Sequence, residues 1–87
     1  MKRWSIIYKT LGNISRLKIL KLLSSSRPLS VGDITEKINI SFTGTSKHLI
    51  HLQRLDVLES EGTMGHVYYS INKNMPKDFR KAINLFL

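Results

Sequence analysis

The chain has 87 residues, 41% of them hydrophobic, enough for one small core whose stability is marginal when it stands alone. It carries 14 Lys and Arg against 6 Asp and Glu, a formal net charge of +8, so its natural ligands are polyanions such as nucleic acid or an anionic membrane face. Cysteine is absent, which excludes disulfides, thiolate metal ligands and a cysteine nucleophile.

The opening "MKRWSIIYKT" is basic, but Lys9 interrupts its apolar run after Tyr8. That is too early for a signal peptide or a membrane span, and the expectation is a soluble cytoplasmic protein with no membrane partner. A first helix carries Trp4, Ile7, Tyr8 and Leu11. Asn13 then stands as the N-cap of a second, "NISRLKILKLL", with apolar residues at three- and four-residue spacing. The cluster "SSSRP" marks a loop, and Pro28 forbids continuation of the helix. Ser30 with Asp33 matches a capping box and opens a short helix over 30–38 that buries Val31, Ile34 and Ile38. Asn39, Ile40 and Ser41 form a tight connection. Ser41 caps the next helix, expected from Phe42 to about Leu55.

Beyond it the period becomes strand-like. "VLESE" and "HVYYSI" are rich in β-branched and aromatic residues, and the four-residue "GTMG" joins them into a hairpin over about 57–71. In "PKDFRKAINLFL" Pro76 suits a first helical turn, and Phe79, Ala82, Ile83 and Phe86 line one face of a helix over about 76–86. The order helix, helix, short helix, turn, helix, hairpin, helix gives a mainly α fold with a small β-hairpin. It is the layout of a winged helix-turn-helix domain, here covering residues 1–87 as one domain.

In that layout Leu49, Leu52 and Leu55 face the core and helix 42–55 is presented outward. The expected DNA-contacting set is Ser41, Phe42, Thr43, Gly44, Ser46, Lys47, Ile50 and Arg54. Hydroxyls exchange hydrogen bonds with base edges or phosphates, cations neutralise phosphates, and Phe42 or Ile50 can meet a thymine methyl. Gly44 would let the backbone approach closely. No acid stands on this helix, as a surface facing a polyanion requires. The hairpin offers less, since Glu59 and Glu61 occupy it; His66 is its main candidate, with Thr63 and the backbone of Gly62 and Gly65 beside it.

His48 and His51 lie three apart on one helix, as in some zinc sites, but no third ligand has an evident placement, so a packed or hydrogen-bonded His48 is the stronger reading and no metal or cofactor is assigned. A Ser, His and Asp triad lacks any nucleophile elbow, and no catalytic role is assigned. Phe42 either staples onto the body near Ile40 or stands exposed. Trp4, Ile7, Tyr8 and Leu11 with Phe79, Ile83, Phe86 and Leu87 are more apolar surface than so small a core absorbs, and the expectation is an isologous homodimer interface, with the chain's own core as the alternative. Such a dimer would set two reading helices roughly 34 Å apart, one turn of B-DNA.

The stretch from Leu11 to Ile71 resembles the ArsR-type winged-helix transcription regulators. The resemblance rests on Arg16 with Leu17, Ile19 and Leu20, on Ser46, Lys47, His48, Leu49 and Leu52, and on the closing "VYYSI". It implies a homodimer paired through N- and C-terminal helices, with two recognition helices on a palindromic operator. It places Thr43, Ser46 and Lys47 where family members contact DNA, and His48 at a His common in the family. The metal-sensing members' thiols have no counterpart in "SVGDITEK", and "KDFRKAINLF" has Asp78 but no His. Metal sensing of either type is therefore not expected, and no small-molecule effector is evident. The expected function is sequence-specific binding of double-stranded DNA to regulate transcription; the alternatives are a protein-interaction adaptor using Phe42 and Ile50, a non-specific architectural binder, or a binder of structured RNA.

Overall fold

The computed structural model describes residues 1–85 and 87. Its elements run α1 (Lys2–Leu11), α2 (Ile14–Ser24), β1 (Leu29–Ser30), α3 (Val31–Ile38), α4 (Phe42–Arg54), β2 (Leu58–Thr63), β3 (His66–Ile71) and α5 (Lys77–Asn84). The helix starts are set by side chains that satisfy open N–H groups. Asn13 accepts from Arg16 N, Ser30 from Asp33 N and Ser41 from Gly44 N. α3 ends at Asn39, which adopts φ 57°, the left-handed conformation that Asn tolerates, and its N–H returns to Thr35 O.

The core collects one face from each helix: Ile7 and Leu11 from α1, Ile19, Leu20 and Leu23 from α2, Ile34 from α3, Leu49 and Leu52 from α4, and Phe79 and Ile83 from α5. Leu29, Val57, Leu58, Tyr69 and Met75 close it from the sheet side. α3 packs on α4 as the helix-turn-helix pair, and the sheet covers their other end. Two buried polar groups are satisfied within their own helices: Thr10 Oγ1 donates to Ile6 O at 2.7 Å, and Thr45 Oγ1 donates to Ser41 O at 2.9 Å.

Three boundaries differ from the sequence expectation. The sheet has three antiparallel strands in the order β1-β3-β2, because Leu29 pairs with Tyr69 and Ser30 with Tyr68. A two-residue strand is too short to show a period, so only the cap at Ser30 was legible. The hairpin connection is two residues, not four: Gly62 and Thr63 extend β2 to pair with Val67 and His66. Met64 (φ 50°) and Gly65 (φ 81°) alone make the turn, the positive-φ pair of a type I′ turn, whose twist matches the strands. At the C-terminal helix, Pro76 has φ −53° and ψ 138° and precedes the first helical residue instead of being it. Phe86, expected on this helix, lies outside the described residues.

Candidate nucleic-acid interface

α4 is aimed by contacts at both ends. Its start is held by the Ser41 cap, and its end by Gln53, whose Nε2 donates to Ser60 Oγ of β2 at 2.7 Å. Leu49 and Leu52 are fully buried and Leu55 is half-buried. Spacing then forces Thr43, Lys47, Ile50 and Arg54 outward, and all four are exposed, while Phe42, in register with Thr45 and Leu49, is left open because it is the first residue of the helix. Phe42 keeps 60% of its surface in solvent, which decides for the exposed reading. Ser46 is half-buried at the edge of the face. Arg54 lies roughly 16 Å along the axis from Thr43, at the far end of the helix.

Two of the expected contacts already have intramolecular work. The Ser41 hydroxyl oxygen accepts from Gly44 N at 3.0 Å, which leaves its proton and one lone pair for a ligand. A Cβ on Gly44 would come within 3.0 Å of Ser41 Oγ. The small residue thus also leaves room for the cap. His66 is exposed on β3 beside the turn, its ring 6.3 Å from that of Tyr68. Met64, which sequence reading passed over, is 93% exposed at the tip, because the turn leaves its side chain nothing to pack on.

The charge field matches this face. None of the 6 acids lies in residues 1–32 or on α4. α4 adds Lys47 and Arg54 to the cations of α1 and α2, and the ion pair among the described residues is Arg3 with Asp78, remote in sequence from α4. His48 is half-buried and its Nδ1 accepts from Arg16 Nε at 3.3 Å. Burial, then the nearby Arg16 and His51, push the His48 pKa below the ordinary histidine value. His51 is lowered by burial and then by Arg16 and Arg54. Among the described residues no third His, Cys, Asp or Glu joins this pair to form a metal-ligand cluster. Arg16 was visible as part of a sequence motif, but its role as a joint between helices was not, since that depends on where α1 ends.

The apolar terminal set divides. Ile7, Leu11, Phe79 and Ile83, expected in the dimer interface, are taken up by the chain's own core, because α1 and α5 pack against one another through those faces. Trp4 (42% exposed), Tyr8 (71%) and Leu87 remain outward, with the Trp4 and Tyr8 rings 6.1 Å apart. No helix among the described residues is long and apolar enough to cross a membrane.

Comparison with known proteins follows the same lines. The model of the bacterial regulatory protein arsR family matches residues 14–60, from the start of α2 into β2. The chain is 33% identical over 72 residues to the transcriptional repressor SdpR of Bacillus subtilis (strain 168), covering 83% of this chain and 79% of that protein. Among solved structures it is similar to HlyU from Vibrio cholerae N16961, with TM-score 0.78 and 25% identity over 97% of this chain and 87% of that one. It is likewise similar to the homodimeric winged helix-turn-helix DNA-binding domain of Mb0332 from Mycobacterium bovis, a possible ArsR-family regulator, with TM-score 0.77 and 25% identity over 97% and 74% of the two chains.

Proposed function

The chain belongs to the arsR family of bacterial regulatory proteins, and we propose that it is a homodimeric transcription regulator that reads double-stranded DNA with α4. The observation that carries this reading is the outward side of α4, where Phe42, Thr43, Lys47 and Ile50 stand exposed on a helix without an acid. Thr43, Ser46 and the Ser41 hydroxyl reach base edges or nearby phosphates, while Lys47 neutralises a phosphate. Arg54 contacts the backbone further along the groove, and His66 does so from the wing. Trp4 and Tyr8 of α1, with Leu87, meet their symmetry mates across a two-fold axis. The reading needs binding alone, with no catalytic step, and places the protein with the chromosome in the cytoplasm.

The deciding experiment is selection of bound duplexes from a random pool at physiological salt, followed by sequencing. An inverted repeat with half-sites one helical turn apart is expected. A bound pool with no motif would instead leave a non-specific architectural binder or a protein adaptor using Phe42 and Ile50.

A further inference from the structure

Arg16 and His48 meet where three helices converge. Arg16 leaves the first turn of α2, and its guanidinium reaches two other helices at once. Nη1 donates to Lys9 O at 3.3 Å and Thr10 O at 3.5 Å, carbonyls of the last turn of α1, while Nε donates to Nδ1 of His48 on α4 at 3.3 Å. A guanidinium has donors only, so Nδ1 of His48 must offer a lone pair, and the ring proton of the neutral imidazole sits on Nε2. His48 lies between exposed Lys47 and fully buried Leu49, at the seam between the outward face of α4 and the body of the protein. The last carbonyls of a helix have no partner inside it, which is why those of α1 are open to Arg16.

We propose that Arg16 and His48 form a latch that fixes the rotation of α4 against the corner of α1 and α2, and that the latch closes only while His48 is neutral. A proton on Nδ1 turns the acceptor into a donor facing the Arg16 Nε–H and sets two cations side by side. The groups that act on the ring are Arg16 from α2 and His51 from the next turn of α4, both of which oppose a second positive charge. Lys9 and Thr10 of α1 face the guanidinium with backbone carbonyls. The one ion pair among the described residues, Arg3 with Asp78, brings no carboxylate to the latch. The depressed His48 pKa accords with this geometry. Stabilisation by the neutral ring is complete above the ordinary value of 6.5 and is lost as pH falls through the lower folded value. Because α1 also carries Trp4 and Tyr8, the latch joins the helix proposed to pair the protomers to the helix proposed to read DNA. Its effect on DNA affinity rests on that reading of α4.

The test has two arms, one of them free of DNA. Long-range ¹H–¹⁵N NMR of the imidazoles in the free protein is expected to find His48 as the Nε2–H tautomer, with a midpoint below the ordinary histidine value that rises in Arg16→Ala. An Nδ1–H tautomer, or a midpoint indifferent to Arg16, overturns the latch whether or not the protein binds a specific duplex. The second arm compares His48→Asn, whose carbonyl oxygen supplies a non-titrating acceptor near the place of Nδ1, with His48→Ala. On the selected duplex the Asn variant should bind within about threefold of wild type near pH 7.5, and the Ala variant about tenfold more weakly at equal folded fraction by circular dichroism. As pH falls from about 7.5 through the His48 midpoint found by NMR, wild type should lose affinity relative to His48→Asn, His51 and His66 being common to both proteins. Parallel pH profiles for wild type and His48→Asn would overturn the proposal.

Discussion

Arg3 of α1 donates from Nε to Asp78 Oδ2 at 2.7 Å and from Nη2 to Oδ1 at 3.1 Å, joining residues 75 positions apart. The guanidinium also lies 5.2 Å from the centre of the Phe79 ring, so α1 and α5 are tied beside the apolar contact they bury. The pair holds the Asp78 carboxyl below its ordinary value of 3.8, the bond to Arg3 being the largest cause. Stabilisation from it is complete above that value and lost as pH falls through the lower folded one. Water and salt screen a pair this open. Asp78→Asn should lower the melting temperature modestly at neutral pH, with the gap closing in strong acid and at about 1 M salt. Melts of both proteins at the two pH extremes check this, and a gap that persists in acid would assign the loss to another cause.

Lys47 and Thr43 separate affinity from preference. Lys47→Ala should weaken binding to all duplexes and shallow the dependence of log K on log salt by about one unit. Thr43→Ala should change preference at one base position per half-site, on the order of 1 kcal/mol, with the slope unchanged. Titrations against the selected duplex and its point variants at several salt concentrations distinguish the two. Equal loss across all sequences for Thr43→Ala would remove it from base readout.

The hairpin turn makes a prediction of opposite signs at adjacent residues. Met64 holds φ 50° with its side chain in solvent, a conformation that costs Met more than Asn. Met64→Asn should therefore stabilise the protein by about 0.5–1 kcal/mol. Gly65 holds φ 81° with open space around it, so Gly65→Ala meets backbone strain and no clash, and should cost about 1 kcal/mol. Urea denaturation resolves both. A destabilised Met64→Asn would mean that Met64 has a contact that its exposure does not suggest.

Gly44 and Ser41 should be coupled. Alanine in a helix is worth about 1 kcal/mol over glycine, but a Cβ at Gly44 presses on the cap oxygen. Gly44→Ala in the wild-type background should therefore gain much less than that, because the strain on the cap offsets about 1 kcal/mol. In a Ser41→Ala background the full gain should return. Additive effects across this double-mutant cycle would show that the Ser41 side chain simply rotates aside.

What the sequence disclosed follows the range of the interactions involved. The caps at Asn13, Ser30 and Ser41 are each made within three residues, and the inward spacing of Leu49 and Leu52 is set by helical geometry, so helices and the outward face of α4 were readable. The strand β1 was not, since Leu29 becomes a strand only by pairing with Tyr69, 40 positions away. For the same reason Phe79 and Ile83 read as an oligomer surface: their pattern states that they must be covered, not by which chain. Gly44 was read as room for DNA because its neighbour's hydroxyl orientation is a property of the folded turn. Arg16 and His48 lie 32 positions apart, and only the end of α1 brings meaning to their contact.

The strand order β1-β3-β2 leaves β2 with one paired side, and Glu59 and Glu61 stand exposed along it. An exposed strand edge is a template on which another chain can add a strand. Two acids one period apart, the spacing that sets both on one side of the strand, repel a second copy laid alongside in register. The feature that makes this wing poorly suited to phosphate thereby protects against aggregation: in so basic a protein, two of the six carboxylates stand where they keep its molecules from growing into a common sheet.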